Sequence, residues 1–267
     1  MMEKIMKRPD VSIVLLTWNR APFLEICLRE MFASFDPDLS REVILMDNCS
    51  DDATPNVLAK YAAMPNVRVV RNRKNFRLNA YKKLFAMTRG QFVIEVDDDI
   101  LRFPSGFDRI FIDYFSSYPD YGYLALNVEQ NEKTNGAKPS SDCYVEDERD
   151  GRIVEEGPAG GWCTAFRRIH YLMARPILSF MSFSMARPED GVLMCIMKKL
   201  FRKRIGVIKG ATCLHAVGPV YAREYGLLKR EREKYEAGSL RELADQYRET
   251  DADARGNAVG ANGASAR

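Results

Sequence analysis

Four short apolar runs punctuate the first hundred residues, and three of them stop at side chains that can do chemistry. Residues 11–16 run from Pro9 into Thr17-Trp18-Asn19, residues 42–46 into Asp47-Asn48-Cys49-Ser50-Asp51-Asp52, and residues 91–96 into Asp97-Asp98-Asp99. Residues 67–70 form the remaining run. Runs of this length read as strands buried on both faces of a mainly parallel sheet. Between them lie three helical segments. Residues 22–35 carry Phe23, Ile26, Cys27 and Met31 at amphipathic spacing, a segment capped by Asp51, Asp52 or Thr54 with Pro55 in its first turn runs to Tyr61, and residues 79–88 supply the third. The alternation predicts an α/β fold of βαβ units whose right-handed crossovers bring the carboxyl ends of the strands to one edge, where ligands bind.

Beyond residue 101 the pattern is less regular. Residues 123–128, 164–166, 206–208 and 212–214 read as short strands, 189–201 as a helix, and 129–157 as a polar stretch with few core residues. A charged helical segment covers 229–247, and the Ala- and Gly-rich residues 249–267 are expected to be disordered. Forty basic against 37 acidic side chains give +3, too balanced for a surface devoted to nucleic acid. No stretch approaches the roughly 20 apolar residues of a membrane span, and MMEKIMKRPD lacks an apolar leader segment, so a cytoplasmic protein is expected. Cysteines 27, 49, 143, 163, 195 and 213 contain no close pair, and we expect reduced, mostly buried thiols.

The acidic triplet carries the most chemistry. Alternate residues of a strand share a face, so Asp97 and Asp99 can converge on one cation while Asp98 points elsewhere or caps the next turn. Hard divalent ions such as Mg²⁺ and Mn²⁺ take carboxylate oxygens together with substrate phosphates. Three adjacent carboxylates repel one another unless a cation or a donor relieves them.

The chain resembles family 2 glycosyltransferases, nucleotide-sugar enzymes of the GT-A fold. VSIVLLTWNR is similar to their first strand, VILMDNCSDD to their second and FVIEVDDDI to the strand with their D-x-D motif, and the likeness covers roughly residues 10 to 220. It implies a mainly parallel, Rossmann-like sheet flanked by helices, with a nucleotide-sugar-binding half over 10–100, an acceptor-binding half over 101–220, and a C-terminal helical segment over 221–248 of a single domain spanning 1–248. It also implies a UDP-, GDP- or TDP-linked donor. Thr17, Asn19 and Arg20 would edge the nucleotide pocket, Asp47 would face the base, and Asn79 and Asp98 join the donor-binding set. Asp97 and Asp99 would hold Mn²⁺ or Mg²⁺ across the donor's phosphates, and His215, at the end of a late strand, looks like the histidine that completes this metal site.

Glycosyl transfer needs a carboxylate to take the acceptor's proton. Glu189 and Asp190 open an apolar helix and are the best candidates; as N-terminal residues they also suit the helix dipole. The resemblance favours Asp190 as base, with Glu189 orienting the acceptor or positioning the base, and implies an inverting single displacement. Gly157-Pro158-Ala159-Gly160-Gly161-Trp162 lets backbone approach closely around an indole, and the resemblance puts Gly161 and Trp162 beside the donor sugar. Residues 68–94 carry eight basic side chains and no acid, here read as mostly solvated with one or two near the diphosphate. Family members often have an Asn-x-Gly context there, whereas this chain has Asn75-Phe76-Arg77-Leu78-Asn79. His170 has no acidic neighbour and is read as structural.

Lys198, Lys199, Arg202, Lys203 and Arg204 flank Leu200-Phe201, either as a solvated helix end or as a contact with anionic lipid at the cytoplasmic face of a membrane, which would suit a lipid-linked acceptor. The Gln-x-x-Arg-Trp motif of processive synthases is absent, which points to addition of one sugar to the hydroxyl of a glycan, a lipid-linked glycan or another glycoconjugate. The acid usually found soon after the Glu-Asp pair is replaced by Gly191-Val192-Leu193. Two other readings stand beside this one. A nucleotidyltransferase shares the nucleotide-binding sheet and acidic ligands but usually has a glycine-rich loop after its first strand, and a nucleotide-sugar- or glycan-binding module would bind without turnover.

Overall fold

A computed structural model describes residues 8–134, 138–248 and 250; the tail expected to be disordered, 249–267, lies outside the described residues except for residue 250. The chain divides into two compact units, one of Met1–Glu129 with Lys138–His215, the other of Gln130–Ala137 with Ala216–Arg267.

The larger unit holds a ten-stranded sheet. Its opening alternation is the expected one: β1 (Val11–Thr17), α1 (Ala21–Ala33), β2 (Arg41–Asp47), α2 (Thr54–Ala59), β3 (Val67–Arg71), α3 (Ala80–Ala86) and β4 (Phe92–Asp97). There follow β5 (Ile100–Arg102), α4 (Phe107–Ser117), β6 (Tyr121–Val128), β7 (Val145–Arg149), β8 (Arg152–Glu156), β9 (Cys163–Arg167), α5 (Arg168–Phe180), α6 (Glu189–Lys199) and β10 (Arg204–His215). The strand order is β3-β2-β1-β4-β9-β6-β10-β8-β7, with β5 paired to β10. Strands β1 to β4 are mutually parallel, β9 runs against both β4 and β6, and β10 is parallel to β6. β1, β2, β3, β4, β6 and β10 therefore share one direction, and their carboxyl ends form one edge.

The strands are apolar on both faces because helices cover both. Val14, Ile44, Met46, Val93, Tyr123 and Phe166 form a buried layer with Leu84 and Phe85 of α3, Tyr171 and Leu178 of α5, and Leu193 and Ile196 of α6. The alternate residues Ile13 and Leu15 are equally buried, as are Phe23, Leu24 and Leu28 of α1 and Phe107, Phe111 and Phe115 of α4. Full burial of side chains this size stabilises by about 1.5–3 kcal/mol each, before the entropy of ordering them.

Several elements depart from the sequence reading. Residues 206–208 and 212–214 are one strand, β10, whose register against β6 slips between Ile208 and Thr212; the bulge is why the two halves look separate and how His215 reaches the sheet edge. The polar stretch 129–157 contains the hairpin β7–β8. Asp150 and Gly151 turn it with φ of 51° and 71°, the left-handed geometry that favours Asp-Gly. Several of its charges are paired: Arg149 bonds Asp120 at 2.6 Å and Asp147 at 2.7 Å, and Arg204 bonds Glu156 at 2.6 Å and also reaches Asp147. Arg149 holds the Asp120 carboxyl down at about 2. Of the cysteines, Cys27, Cys163 and Cys213 are buried as expected, whereas Cys143 and Cys195 are exposed and Cys49 is half-buried; all six are free.

The smaller unit contains α7 (Pro219–Glu224) and α8 (Leu228–Ala237), the second starting one residue before the expected charged segment and covering its first half. Asn131 donates to the Tyr221 hydroxyl at 3.1 Å and Lys133 pairs with Glu224 at 2.7 Å. Tyr235 packs on Tyr247 with ring centroids 5.3 Å apart.

Candidate active site

The register of the parallel strands aligns the expected residues. Thr17 lies opposite Asp47 and Leu16 opposite Asp97, so β1, β2 and β4 deliver their terminal polar groups to the same edge. Thr17 and Asp47 are buried, and the Thr17 hydroxyl has no hydrogen-bond partner among the described residues. Asp47 accepts the Ser50 N–H at 2.8 Å, and the Arg71 guanidinium stands 3.2 Å from its other oxygen. Asn19, at φ 51°, exchanges two hydrogen bonds with Asp51 and donates its own N–H to Ser50 at 2.9 Å, which ties the loop after β1 to the loop after β2. Asn48 binds Asn75, Asn72 and the backbone of Phe76 and Arg77, fixing the segment that follows β3.

Arg20, expected at the nucleotide rim, reaches the acidic triplet. One guanidinium nitrogen lies 2.8 Å from Asp98 Oδ1 and 2.6 Å from Asp99 Oδ2, with all three side chains under a tenth exposed. Part of the repulsion within the triplet is thereby relieved inside the fold. Asp97 faces outward, its side chain 37% exposed. Across from it, β10 brings His215 Nε2 to 3.1 Å from Asp99 Oδ1 and 3.8 Å from Asp97 Oδ2. One ligand atom from each of Asp97, Asp99 and His215 lies within 4.8 Å of the others. Two carboxylates and an imidazole in that volume are a donor set that fits a divalent cation of the Mn²⁺ or Mg²⁺ type. Burial disfavours the charged form of His215, but Asp99 and Asp97 outweigh it and raise its pKa.

Glu189 and Asp190 form the first turn of α6, and Glu189 is buried. Burial raises the Asp190 pKa, while the N–H groups of Gly191 and Gly161 oppose that rise by donating to the carboxylate. Gly161 lets the backbone pack closely here: a Cβ would stand 3.3 Å from Asp190 Oδ2 and 3.4 Å from Asp190 Cβ, so the carboxylate would have to shift by a few tenths of an ångström. Trp162 is only 6% exposed; its indole N–H donates to the Leu126 carbonyl at 2.9 Å and its ring centroid sits 6.4 Å from that of His215. It therefore backs the metal-type cluster as a wall and is not an open stacking platform. Its carbonyl accepts the Asp97 N–H at 2.8 Å, tying the glycine loop to the triplet. Asn79 exchanges two 3.0 Å hydrogen bonds with the backbone of Phe183, so in this structure its amide clasps the segment leading into α6.

The sequence reading passed over Glu95. It is 1% exposed on β4, and alternation puts it on the face of Asp97, one repeat deeper. Burial pushes its carboxyl well above the usual range, and the nearby Glu189, Asp190 and Asp97 push it further, against a small opposing effect of the Tyr81 hydroxyl. Burial and its neighbours thus favour the uncharged form of Glu95 beneath the other carboxylates. A single acid inside the run Phe92-Val93-Ile94-Glu95-Val96 was the signal that could have found it. Tyr123, whose hydroxyl is also buried and pushed up by burial with Asp190 and Glu95 nearby, left no comparable mark.

A family model described as "Glycosyl transferase family 2" matches residues 12–172, more than half of the chain. A curated protein of Bacillus subtilis (strain 168), "Putative glycosyltransferase EpsH", is 28% identical over 95 residues, 35% of this chain and 27% of its own length. Among solved structures, the mannosyltransferase PcManGT from Pyrobaculum calidifontis, in complex with GDP-Man and Mn²⁺, superposes with a TM-score of 0.60 at 18% identity over 88% of this chain and 65% of its own. S. aureus TarS 1-349 in complex with UDP-GlcNAc gives 0.59 at 16% identity, over 84% and 64%. The chain thus spans about a quarter of that curated relative and just under two thirds of these structures. The likeness in three dimensions establishes the GT-A fold.

Proposed function

Starting from a chain that belongs to glycosyl transferase family 2, we propose that it moves one sugar from a nucleotide-diphosphate donor to a hydroxyl of a glycan, lipid-linked glycan or glycoconjugate, with inversion at the anomeric carbon. The observation that carries the reading is the Asp97–Asp99–His215 cluster at the sheet edge, tied through the Trp162 carbonyl to the glycine loop whose Gly161 packs on the half-buried Asp190. GDP-Man in one structural neighbour and UDP-GlcNAc in another support a nucleotide-sugar donor, and Mn²⁺ in the first supports a divalent metal.

The protein's own groups account for most of the chemistry. Thr17, Asn19 and Asp47 border the donor's nucleoside, and the rigid Asn19–Asp51 and Asn48 networks shape that pocket in advance of binding. Asp97, Asp99 and His215 would hold Mn²⁺ or Mg²⁺, which neutralises charge developing on the departing diphosphate. Arg20 bonds both Asp98 and Asp99 in their buried setting and places a positive charge beside the triplet. Asp190 accepts the acceptor's proton on a carboxylate oxygen. A raised pKa makes it a stronger base, and the Gly161 and Gly191 N–H groups fix its orientation. Glu189, beside it, orients the acceptor, and the burial of Glu95 disfavours a further negative charge beneath the cluster.

A thermal-shift panel of UDP-, GDP- and TDP-sugars with and without Mn²⁺ tests the donor half of this reading, since a ligand of the folded state raises its melting temperature. Cation-dependent stabilisation by one nucleotide class, lost in Asp99→Ala, is the expected result. Release of pyrophosphate from a nucleoside triphosphate would favour a nucleotidyltransferase instead.

A further inference from the structure

Five of the nine large hydrophobic side chains exposed among the described residues crowd onto one surface: Ile169, Met173, Ile177 and Phe180 of α5, and Leu200 at the end of α6. On α5 the spacings are four, four and three residues, so the four side chains form a single stripe along the outer face. The opposite face, with His170, Tyr171, Ala174 and Leu178, is buried against the sheet and α6. Phe180 is 94% exposed. The helix is thus apolar on both sides, although a solvent-facing helix ordinarily carries charge outward. A contiguous apolar patch of this kind marks a surface that meets something.

The charges around the stripe identify what it meets. Residues 167–187 contain four arginines and no acid. Arg175 is exposed on α5 itself. At one end of the helix the His170 ring lies 5.9 Å from that of Phe201, which brings in the exposed Lys198, Lys199 and Arg202. At the other end Lys82 Nζ is 3.4 Å from the Ser179 carbonyl. None of Arg175, Lys198, Lys199, Arg202 and Lys82 forms an ion pair among those described. An apolar stripe edged by unpaired cations on an exposed helix is the make-up of a segment that lies in the plane of a lipid interface, its apolar side chains at the acyl boundary and its cations among anionic headgroups. A second copy of the chain fits poorly, because a two-fold contact here would press the two basic borders together. Nucleic acid fits poorly too, because a stripe with one aromatic among aliphatics gives bases almost nothing to stack on. Among the described residues no helix is long and apolar enough to cross a membrane, so this attachment would be peripheral.

We infer that the outer face of α5, with the basic end of α6, docks this protein on an anionic membrane surface. Docking does not depend on the proposed transfer reaction, though a lipid-linked acceptor would be presented to Glu189 and Asp190, nine and ten residues beyond Phe180, from that side. Co-sedimentation of the full chain with vesicles of phosphatidylcholine alone, or with phosphatidylglycerol as about a third of the lipid, tests it. The expected result is binding to the anionic vesicles only, weakened at least about tenfold by Met173→Glu with Phe180→Glu, and weakened comparably by Lys198→Glu with Lys199→Glu or by raised salt. Circular dichroism and nucleotide-sugar binding of the variants, both expected to match wild type, separate lost docking from lost fold. Three outcomes overturn the inference: no sedimentation of wild type with anionic vesicles, binding that survives the Met173 and Phe180 changes, or a concentration-dependent dimer in the absence of lipid that these changes abolish.

Discussion

Replacing Arg20 by methionine removes the one described cation bonded to two buried carboxylates while keeping most of the side chain's apolar volume. Arg20, Asp98 and Asp99 have side chains only 9%, 7% and 5% exposed, and the two contacts measure 2.8 and 2.6 Å. Removing one partner of a buried pair leaves an uncompensated charge and costs about 3–5 kcal/mol. For a chain of this size, each kcal/mol lowers the melting temperature by about 2–4 °C, so the variant should melt roughly 6 to 20 °C below wild type in metal-free buffer. A divalent cation held by Asp97, Asp99 and His215 would share Asp99 with Arg20 and supply positive charge beside it. Mn²⁺ should therefore raise the melting temperature of the Arg20→Met variant by more than it raises that of wild type, in scanning fluorimetry at matched protein concentration. A metal-free variant melting within about 2 °C of wild type would refute the claim that Arg20 relieves the triplet. Equal Mn²⁺ shifts in the two proteins would refute the claim that Arg20 and the cation share Asp99.

Gly161→Ala places a Cβ 3.3 Å from Asp190 Oδ2 and disturbs an N–H bond to a charged acceptor, worth about 1.5–3 kcal/mol, so turnover should fall about ten- to a hundredfold with little change in melting temperature. His170, held down to about 4 by burial and by the charges of Lys203 and Arg167, stays neutral in the fold while the unfolded chain protonates near 6.5. Stability is therefore complete above pH 6.5 and falls by about 3 kcal/mol as pH drops to about 4, and His170→Gln should flatten that part of a urea-denaturation profile. Burial favours the uncharged form of Glu95, so Glu95→Gln should leave the acid limb of the pH–rate profile in place; a fall of about a full pH unit would mean that Glu95 carries charge in the fold. Asn79→Ala removes both 3.0 Å bonds to Phe183 and should cost about 1–3 kcal/mol, seen also as faster amide exchange around residues 181–188.

What could be read from the residues was set by how far local pattern reflects tertiary environment. The strands of the parallel half announce themselves because burial on both faces demands continuous apolar runs. Helices α4 and α5 went unread: α4 is rich in aromatic and β-branched residues, and α5 carries Pro176 inside it and apolar side chains on both faces. The hairpin β7–β8 escaped because its strands are charged, their partners being Arg149 and Arg204 and not a core, although Asp150-Gly151 marked the turn.

The site followed the same logic. Asp97 and Asp99 could be named from strand alternation and His215 from the resemblance to family 2 glycosyltransferases, and the structure brings all three together. Arg20's engagement with Asp98 and Asp99 spans 78 and 79 residues, and Asn79's clasp on Phe183 spans 104, distances over which no local pattern carries information. Trp162 shows the limit in the opposite direction, since a glycine-flanked indole reads the same whether it is open to a ligand or sealed against β6.

The central claim is that Asp190 takes the proton in a sugar transfer supported by the Asp97–Asp99–His215 cluster. Its most direct test is nucleoside-diphosphate release from the nucleotide-sugar that binds most tightly, with Mn²⁺ and a glycan pool as acceptor, by wild type and Asp190→Asn. The account predicts equal donor affinity and a loss of about 10²–10⁴-fold in turnover for the variant. Wild-type turnover by Asp190→Asn would contradict it.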